Sequence, residues 1–375
     1  MAIKIFHTAD LHLGMRFAGY PEIQNLLIDA RYETLARMVE IANKEKSDLF
    51  VIAGDLFDRV TVKAKEISRA AKILNEFNGE LVAVLPGNHD YYTSDSSLWD
   101  SFSQVTGDRV LILKEPKLYD LRNHHLDAVI FACPCSSKHS AENKIGWIAD
   151  VDYPKDNLLK IGIAHGSLEG ISPDFNKSYY PMTSKELEAS VSDLWLLGHT
   201  HLSYPENPTE KDKIFIPGTP EPDGFDCKHK GNAFLIKIEK PSEKVIKKID
   251  TGKYRFVINS VLLQDEGSIE KMEAEYSKVE YKNTILRLIL EGRLKKEELI
   301  KTKKAVKSIE EKALYLQTIS EELNEEIGQG LINSEFTQDS FPHQLLISLL
   351  NSNENAASQA LQKAYDLIRE IKDED

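Results

Sequence analysis

Short apolar runs alternate with longer amphipathic stretches along the first part of the chain. Residues 49–53 and 81–85 are continuous apolar runs of strand length, bounded by polar or glycine-bearing segments, and they predict buried strands; residues 3–6, apolar except for Lys4, read as a further strand. Between them, residues 26–46 place Leu27, Tyr32, Leu35, Met38, Val39 and Ala42 near helical spacing, and 62–77 forms a second amphipathic stretch that stops at Asn78-Gly79. Strand, helix, strand, helix, strand is the pattern of an α/β layer protein. The middle of the chain is richer in strands. Apolar runs fall at 110–113, 128–132, 160–164, 194–197, 214–216 and 233–238, with loop material at 139–157 and 167–183 and a turn at Tyr204-Pro205-Glu206-Asn207-Pro208.

The pattern changes near Pro241. From residue 253 the chain reads strand (254–263), helix (268–276), strand (284–290), helix (295–307), a compact unit of small-domain size. From 308 onward it reads as mostly helical, with a heavily charged stretch at 309–327. Leu345, Leu346, Leu349 and Leu350 then form one apolar face and Leu361, Ala364, Tyr365, Ile368 and Ile371 another, separated by a polar linker at 351–355. The expected organisation is 1–250, 251–307 and 308–375, the last ending in a helical hairpin.

Composition narrows the class. A chain of 375 residues with 41% hydrophobic and 29% charged residues is a globular protein too long for one ordinary core. No apolar run approaches membrane-spanning length, and residues 1–7 lack the basic and long apolar regions of a signal peptide, so a cytoplasmic protein with no membrane association is expected. Cys133, Cys135 and Cys227 are few, odd in number and not spaced as a redox or zinc motif, which suits core thiols in a reducing compartment. A net charge of −13 argues against a globally basic nucleic-acid binder, but local patches and bound cations can still serve a nuclease.

Five polar blocks lie at or just after predicted strand ends: Asp10-Leu11-His12, Gly54-Asp55, Gly87-Asn88-His89-Asp90, His165-Gly166 and Gly198-His199-Thr200-His201. Open α/β sheets build sites at strand carboxyl ends. Any one block alone reads as loop filler or a surface histidine. Together they hold five of the chain's 11 histidines, His12, His89, His165, His199 and His201, with His7 just before the first block. Mixed carboxylate, imidazole and amide ligands suit divalent cations acting on phosphate esters. Two cations roughly 3.5–4 Å apart need an anionic bridge, a role open to Asp55 or Asp10.

In this order the five blocks resemble the calcineurin-like metallophosphoesterases. The stretches Thr8-Ala9-Asp10-Leu11-His12-Leu13-Gly14 and Gly54-Asp55-Leu56-Phe57-Asp58 resemble the SbcD/YhaO-type DNA repair exonucleases in particular, and Ile216-Pro217-Gly218-Thr219-Pro220 is similar to that group's closing strand and loop. The resemblance implies a four-layer αββα sandwich carrying a small α/β capping domain and the C-terminal helical hairpin. It implies one cation held by Asp10, His12, Asp55 and His201, and a second held by Asp55, Asn88, His165 and His199, with manganese the expected metal. Asp55 would share its two oxygens between them. His89 would face the phosphate as the catalytic residue, with Asp58 and Asp90 orienting neighbouring groups. Asp58 stands where archaeal and eukaryotic members carry histidine, as in the bacterial branch, and 224–230 departs from the better-known members toward the YhaO type.

The same resemblance makes 253–307 the capping domain. Within 293–307, Arg293, Lys295, Lys296, Lys301, Lys303, Lys304 and Lys307 stand against Glu297 and Glu298, a local balance of +5. This stretch reads either as a phosphate-contacting patch for DNA or as a solvated helix face. The hairpin is expected to grip an SbcC-like coiled-coil ATPase or else to pack on the cap, and a homodimer through the helix at 26–46 is a further implication. The expected function is a two-metal DNA phosphodiesterase, an exonuclease with endonuclease activity left open, in DNA repair or end processing. Two rivals stand beside it: a phosphoesterase for small molecules or phosphoproteins with the same metal site, and a non-catalytic scaffold for DNA ends or an ATPase. The cap, basic stretch and tail weigh against the first, and the complete ligand set weighs against the second.

Overall fold

The computed structural model describes residues 2–154, 157–241, 243–352 and 356–374. The chain forms two compact units, 1–256 and 257–375.

In the first unit, β1 (Ile3–Thr8), α1 (Gln24–Lys44), β2 (Leu49–Ala53), α2 (Ala64–Asn75), β3 (Leu81–Leu85), α3 (Ser97–Val105) and β4 (Val110–Ile112) follow in order. Then come β5 (Leu118–Asp120), β6 (Ala128–Cys133), β7 (Leu159–His165), α4 (Ser184–Ala189), β8 (Leu194–Gly198), β9 (Ile214–Phe215), β10 (Asn232–Lys240) and β11 (Glu243–Asp250). They build a six-stranded sheet, β11-β10-β1-β2-β3-β4, and a five-stranded sheet, β5-β6-β7-β8-β9. In the first, β1 to β4 are parallel and β10 runs antiparallel to β1; in the second, β6 to β9 are parallel.

Strand periodicity decides the layering, because successive side chains face opposite sides. Ile5, Val51, Ala53 and Ala83 share one core with Ile130, Ile161, Ile163 and Leu196 of the other sheet, so the sheets pack face to face. The alternate residues Phe6, Phe50, Ile52 and Val84 meet Leu35, Met38, Ala70, Leu74 and Phe102 of α1, α2 and α3. On the outer face of the second sheet, Phe131, Trp195 and Leu197 meet Leu187 of α4 and the connecting segments. The result is the α/β sandwich with two central sheets. Phe50, fully buried and stacked on Phe6 with ring centroids 5.1 Å apart, shows the scale of the packing; truncating such a side chain to alanine costs about 3–5 kcal/mol.

The second unit continues from β12 (Arg255–Leu263) through α5 (Glu266–Tyr276), β13 (Thr284–Leu294), α6 (Lys296–Glu310), β14 (Tyr315–Ile319) and β15 (Leu323–Glu325) to α7 (Gln329–Glu335), α8 (Phe341–Leu350) and α9 (Ala357–Glu374). The charged stretch at 309–327 is therefore not helical throughout. Tyr315-Leu316-Gln317-Thr318-Ile319 alternates, pairs in parallel with β13 and turns Leu316 toward Leu286 and Leu288, a long-range pairing that overrides the local charge pattern. The hairpin forms, with Leu346, Leu361 and Tyr365 buried against Ile332 and Phe336, whereas Ile371 is exposed. Of the polar linker at 351–355, residues 353–355 lie outside the described residues, as do 155 and 156 of the 139–157 loop.

Candidate metal centre

All five polar blocks lie at the carboxyl ends of parallel strands. Asp10 and His12 follow β1, Asp55 follows β2, Asn88 and His89 follow β3, His165 ends β7, and His199 and His201 follow β8. The two sheets thus present their strand ends to one another. Asp10, His12, Asp55, Asn88 and His165 are buried, and His89 and His201 are half-buried.

The backbone here is held away from ordinary conformations. Asp10, His12, Asp55 and His199 have φ of 55°, 45°, 52° and 97°, each costing roughly 1–3 kcal/mol that the surrounding fold must offset. Gly54, at φ 95°, is required twice over, since a Cβ there would lie 2.0 Å from Nδ1 of His165. Gly87 is required by contact alone: its Cβ would meet Oδ1 of Asp55 at 2.2 Å.

Two groups of ligand-type atoms result. In one, Nε2 of His12 and Nε2 of His201 are 3.2 Å apart, and with Asp10 they form a cluster whose ligand atoms all lie within 4.8 Å. In the other, Oδ1 of Asn88 is approached by Nε2 of His165 at 2.9 Å and Nδ1 of His199 at 3.1 Å. Asp55 lies between them: its Oδ2 is 3.7 Å from Nε2 of His12 and 3.3 Å from Nε2 of His165. Nδ1 of His165 donates to the carbonyl of Ala53 at 2.8 Å, which leaves its Nε2 a lone pair to present. Imidazole and carboxyl atoms converging this closely crowd lone pairs together when the histidines are neutral, and Nδ1 of buried His12, on the side of Asp58, has no hydrogen bond. Cations between them relieve that crowding, and the mixed oxygen and nitrogen donors suit first-row divalent metals.

Without cations, protons on His165 and His201 offset the buried carboxylates. Burial pushes Asp55 up, but the His165, His12 and His89 imidazoles outweigh it and hold the carboxyl well below the usual range. Burial lowers His165, but Asp55 more than compensates and raises it to about 9. His201 is likewise lowered by burial yet raised to about 9 by its hydrogen bond to Asp223. His199 is pushed down to about 3, by burial and by His165. Burial raises Asp10, whose two oxygens accept the backbone N–H of His199 at 3.0 and 3.1 Å.

His89 and Asp90 do different work. The N–H of His89 donates to Oδ1 of Asp55 at 2.8 Å, and its Nδ1 donates to the carbonyl of Asp58 at 3.2 Å, leaving Nε2 for the cleft that His89 lines. Asp90 is a brace: its oxygens accept the N–H groups of Gly87 at 2.7 Å and Phe57 at 2.9 Å, tying the Asp55 and Asn88 loops together. Burial, with the charge of Asp55, raises it to about 8. Asp58 pairs with Arg59 at 3.2 Å and lies 4.0 Å from Nδ1 of His12. A cleft of about 460 Å³ opens over His12, Asp55, Asn88, His89, His199 and His201, lined also by Asp174, Tyr179, Leu202 and Asp226.

The calcineurin-like phosphoesterase family matches residues 3–203, more than half of the chain and all five blocks. The chain belongs to the calcineurin-like phosphoesterases. Among curated relatives of this calcineurin-like phosphoesterase, it is 26% identical over 209 residues to an uncharacterized metallophosphoesterase, YhaO, of Bacillus subtilis, covering 53% of this chain and 48% of that protein. It is 26% identical over 225 residues to the SbcD component of the SbcCD nuclease of Staphylococcus epidermidis, covering 53% of this chain and 57% of that one. The chain thus spans about half the length of these two relatives. Among solved structures, TT1561 of Thermus thermophilus aligns at 13% identity with a TM-score of 0.41, covering 67% of this chain and all of that one.

Sequence reasoning missed the groups behind the histidines of this phosphoesterase. Asp223 lies 3.3 Å from Nδ1 of His201, and Arg31 lies 3.2 Å from Asp223. The signal was present: Arg31 falls four residues from both Leu27 and Leu35 on the apolar face of α1, where a charge is out of place. The basic residues belong to the second unit. Lys295, Lys296, Lys303, Lys304 and Lys307 are exposed at or along α6, whereas Arg293 on β13 donates to the carbonyl of Glu325 at 3.0 Å.

Proposed function

We propose that this chain is a two-metal DNA phosphodiesterase that acts on DNA ends together with an SbcC-like coiled-coil ATPase. The position of Asp55 carries the reading: one carboxylate oxygen faces His12 on one side and His165 on the other. Asp10, His12, Asp55 and His201 would hold one divalent cation, and Asp55, Asn88, His165 and His199 the other, with manganese the expected ion. Bound there, the pair supplies an activated water near neutral pH and charge stabilisation for the phosphoryl oxygens.

The chain's own residues do the rest. The carbonyl of Ala53 and the carboxylate of Asp223 fix the tautomers of His165 and His201, so that both present Nε2 inward. Asp90 fixes the spacing of the β2 and β3 loops. His89, oriented by the carbonyl of Asp58, offers Nε2 to the phosphate and passes its proton to the leaving oxygen. Asp58 helps to set His12 and His89. The match to a nuclease component supports a nucleic-acid substrate, with Lys295, Lys296, Lys303, Lys304, Lys307 and Arg293 contributing DNA contacts from the second unit. The α8–α9 hairpin would bind the ATPase, and a homodimer and cytoplasmic location accompany this reading. Among the described residues, no helix is long and apolar enough to cross a membrane.

The test compares manganese-dependent hydrolysis of single-stranded DNA, hairpin DNA and bis-p-nitrophenyl phosphate, with and without the ATPase. Cleavage of DNA is expected. Hydrolysis of the small ester alone, with the ATPase present, would replace the nuclease reading by a small-molecule phosphoesterase.

A further inference from the structure

We propose that Arg31 and Asp223 form a positioning pair that assembles one of the two candidate metal sites, the one built from Asp10, His12 and His201. Arg31 projects from α1 and is 2% exposed. Its Nη1 donates to the carbonyl of Leu11 at 2.6 Å, the main-chain group between Asp10 and His12. Its Nη2 lies 3.2 Å from Oδ2 of Asp223, and that same oxygen lies 3.3 Å from Nδ1 of His201. One guanidinium therefore holds the loop that carries two of the ligands and, through Asp223, the third. Phe17 closes the other side, its ring centroid 5.4 Å from the guanidinium carbon.

Arg31 reaches two elements at once: Nη1 hydrogen-bonds the loop after β1, while Nη2 makes a charge contact rather than a hydrogen bond with Asp223 on the segment after β9. A planar, spread-out guanidinium can serve both, whereas the point charge of lysine serves one. With Nδ1 committed to Asp223, His201 turns Nε2 toward Nε2 of His12, 3.2 Å away. The other cluster meets this arrangement through the backbone N–H of His199 on Asp10, but its side chains are oriented by other groups. His165 is oriented by the carbonyl of Ala53, and Asn88 by its own contacts with His165 and His199. Loss of the pair should therefore weaken one site and spare the other, which a general loss of packing would not do.

The inference rests on the two-cation reading, and titration of metal-free, full-length protein with Mn²⁺ separates the two. Wild type should take up two equivalents. Asp223→Asn, which keeps the shape, and Arg31→Lys, which keeps the charge, should each weaken one equivalent by about 10–100-fold and leave the other unchanged. The double variant should lose less than the product of the two single losses, because the Arg31–Asp223 contact is shared. The Co²⁺ absorption spectrum should change for the weakened site only. Wild-type affinity at both sites in both variants would overturn the role of Arg31 and Asp223, as would parallel weakening of both sites in step with thermal stability. A wild type that binds no metal would overturn the two-cation reading itself.

Discussion

Oδ1 of Asp55 accepts the backbone N–H of His89 at 2.8 Å, while Oδ2 faces Nε2 of His12 and Nε2 of His165. The oxygen facing both clusters is thus a single atom, and Asp55 is the carboxylate that would serve both cations. Asp55→Asn should weaken both metal sites, whereas His201→Ala should chiefly weaken one. Calorimetric titration with Mn²⁺ reads the difference, and loss of only one site in Asp55→Asn would remove the bridge.

The same contact places His89 against the cleft without making it a proposed ligand. His89→Ala should lower kcat by roughly 10²–10⁴-fold while leaving two-site metal uptake as in wild type. Equal turnover of variant and wild type on every phosphodiester tested would point to a scaffold in place of an enzyme.

His7 supplies a pH dependence separate from the site. It lies on the inner face of β1 and donates from Nε2 to the carbonyl of Phe215 in the opposite sheet at 3.2 Å. Burial depresses it to about 3. Below about 6.5 the unfolded chain takes up this proton and the folded one does not, so stability falls as pH drops from 6.5 toward 3, by at most about 1.4 kcal/mol per pH unit. His7→Gln should flatten that limb. Urea unfolding at pH 7, 6, 5 and 4 measures it, and identical slopes for both proteins would show that other groups dominate.

The lysines of α6 test the proposed DNA contacts. Thr302, Ala305 and Ile309 face the core, which leaves Lys303, Lys304 and Lys307 exposed. Replacing all three with glutamine should weaken DNA binding at low salt and reduce the salt slope by about 1 for each phosphate no longer neutralised. An unchanged slope would mark a solvated helix face.

The hairpin can be probed without dismantling it. Leu367 and Ile371 are 58% and 63% exposed, whereas Leu361 and Tyr365 are buried in the helical core. Leu367→Glu with Ile371→Glu should abolish co-elution with the coiled-coil ATPase and leave helicity and metal uptake intact. Undiminished co-elution would place the partner surface elsewhere.

Local pattern was sufficient wherever a residue's neighbours in sequence are also its environment. The runs ending at Ala53 and Leu85 are apolar on both faces because both faces are covered, so strand, glycine and polar block appear together in the chain. Pairing across distance was not legible. Tyr315–Ile319 sits in a charged stretch and became a strand through its ladder with β13, and β11, with Lys244, Lys247 and Lys248, is an edge strand. The sequence by itself determined the candidate ligand types, their order and the strands that carry them. Only the tertiary structure decided that Asp55 presents one oxygen to both clusters, that His7 links the two sheets, and that Arg31 reaches Asp223. Those relationships join residues far apart in the chain, brought together by two sheets packing on a shared core, and no local periodicity encodes them.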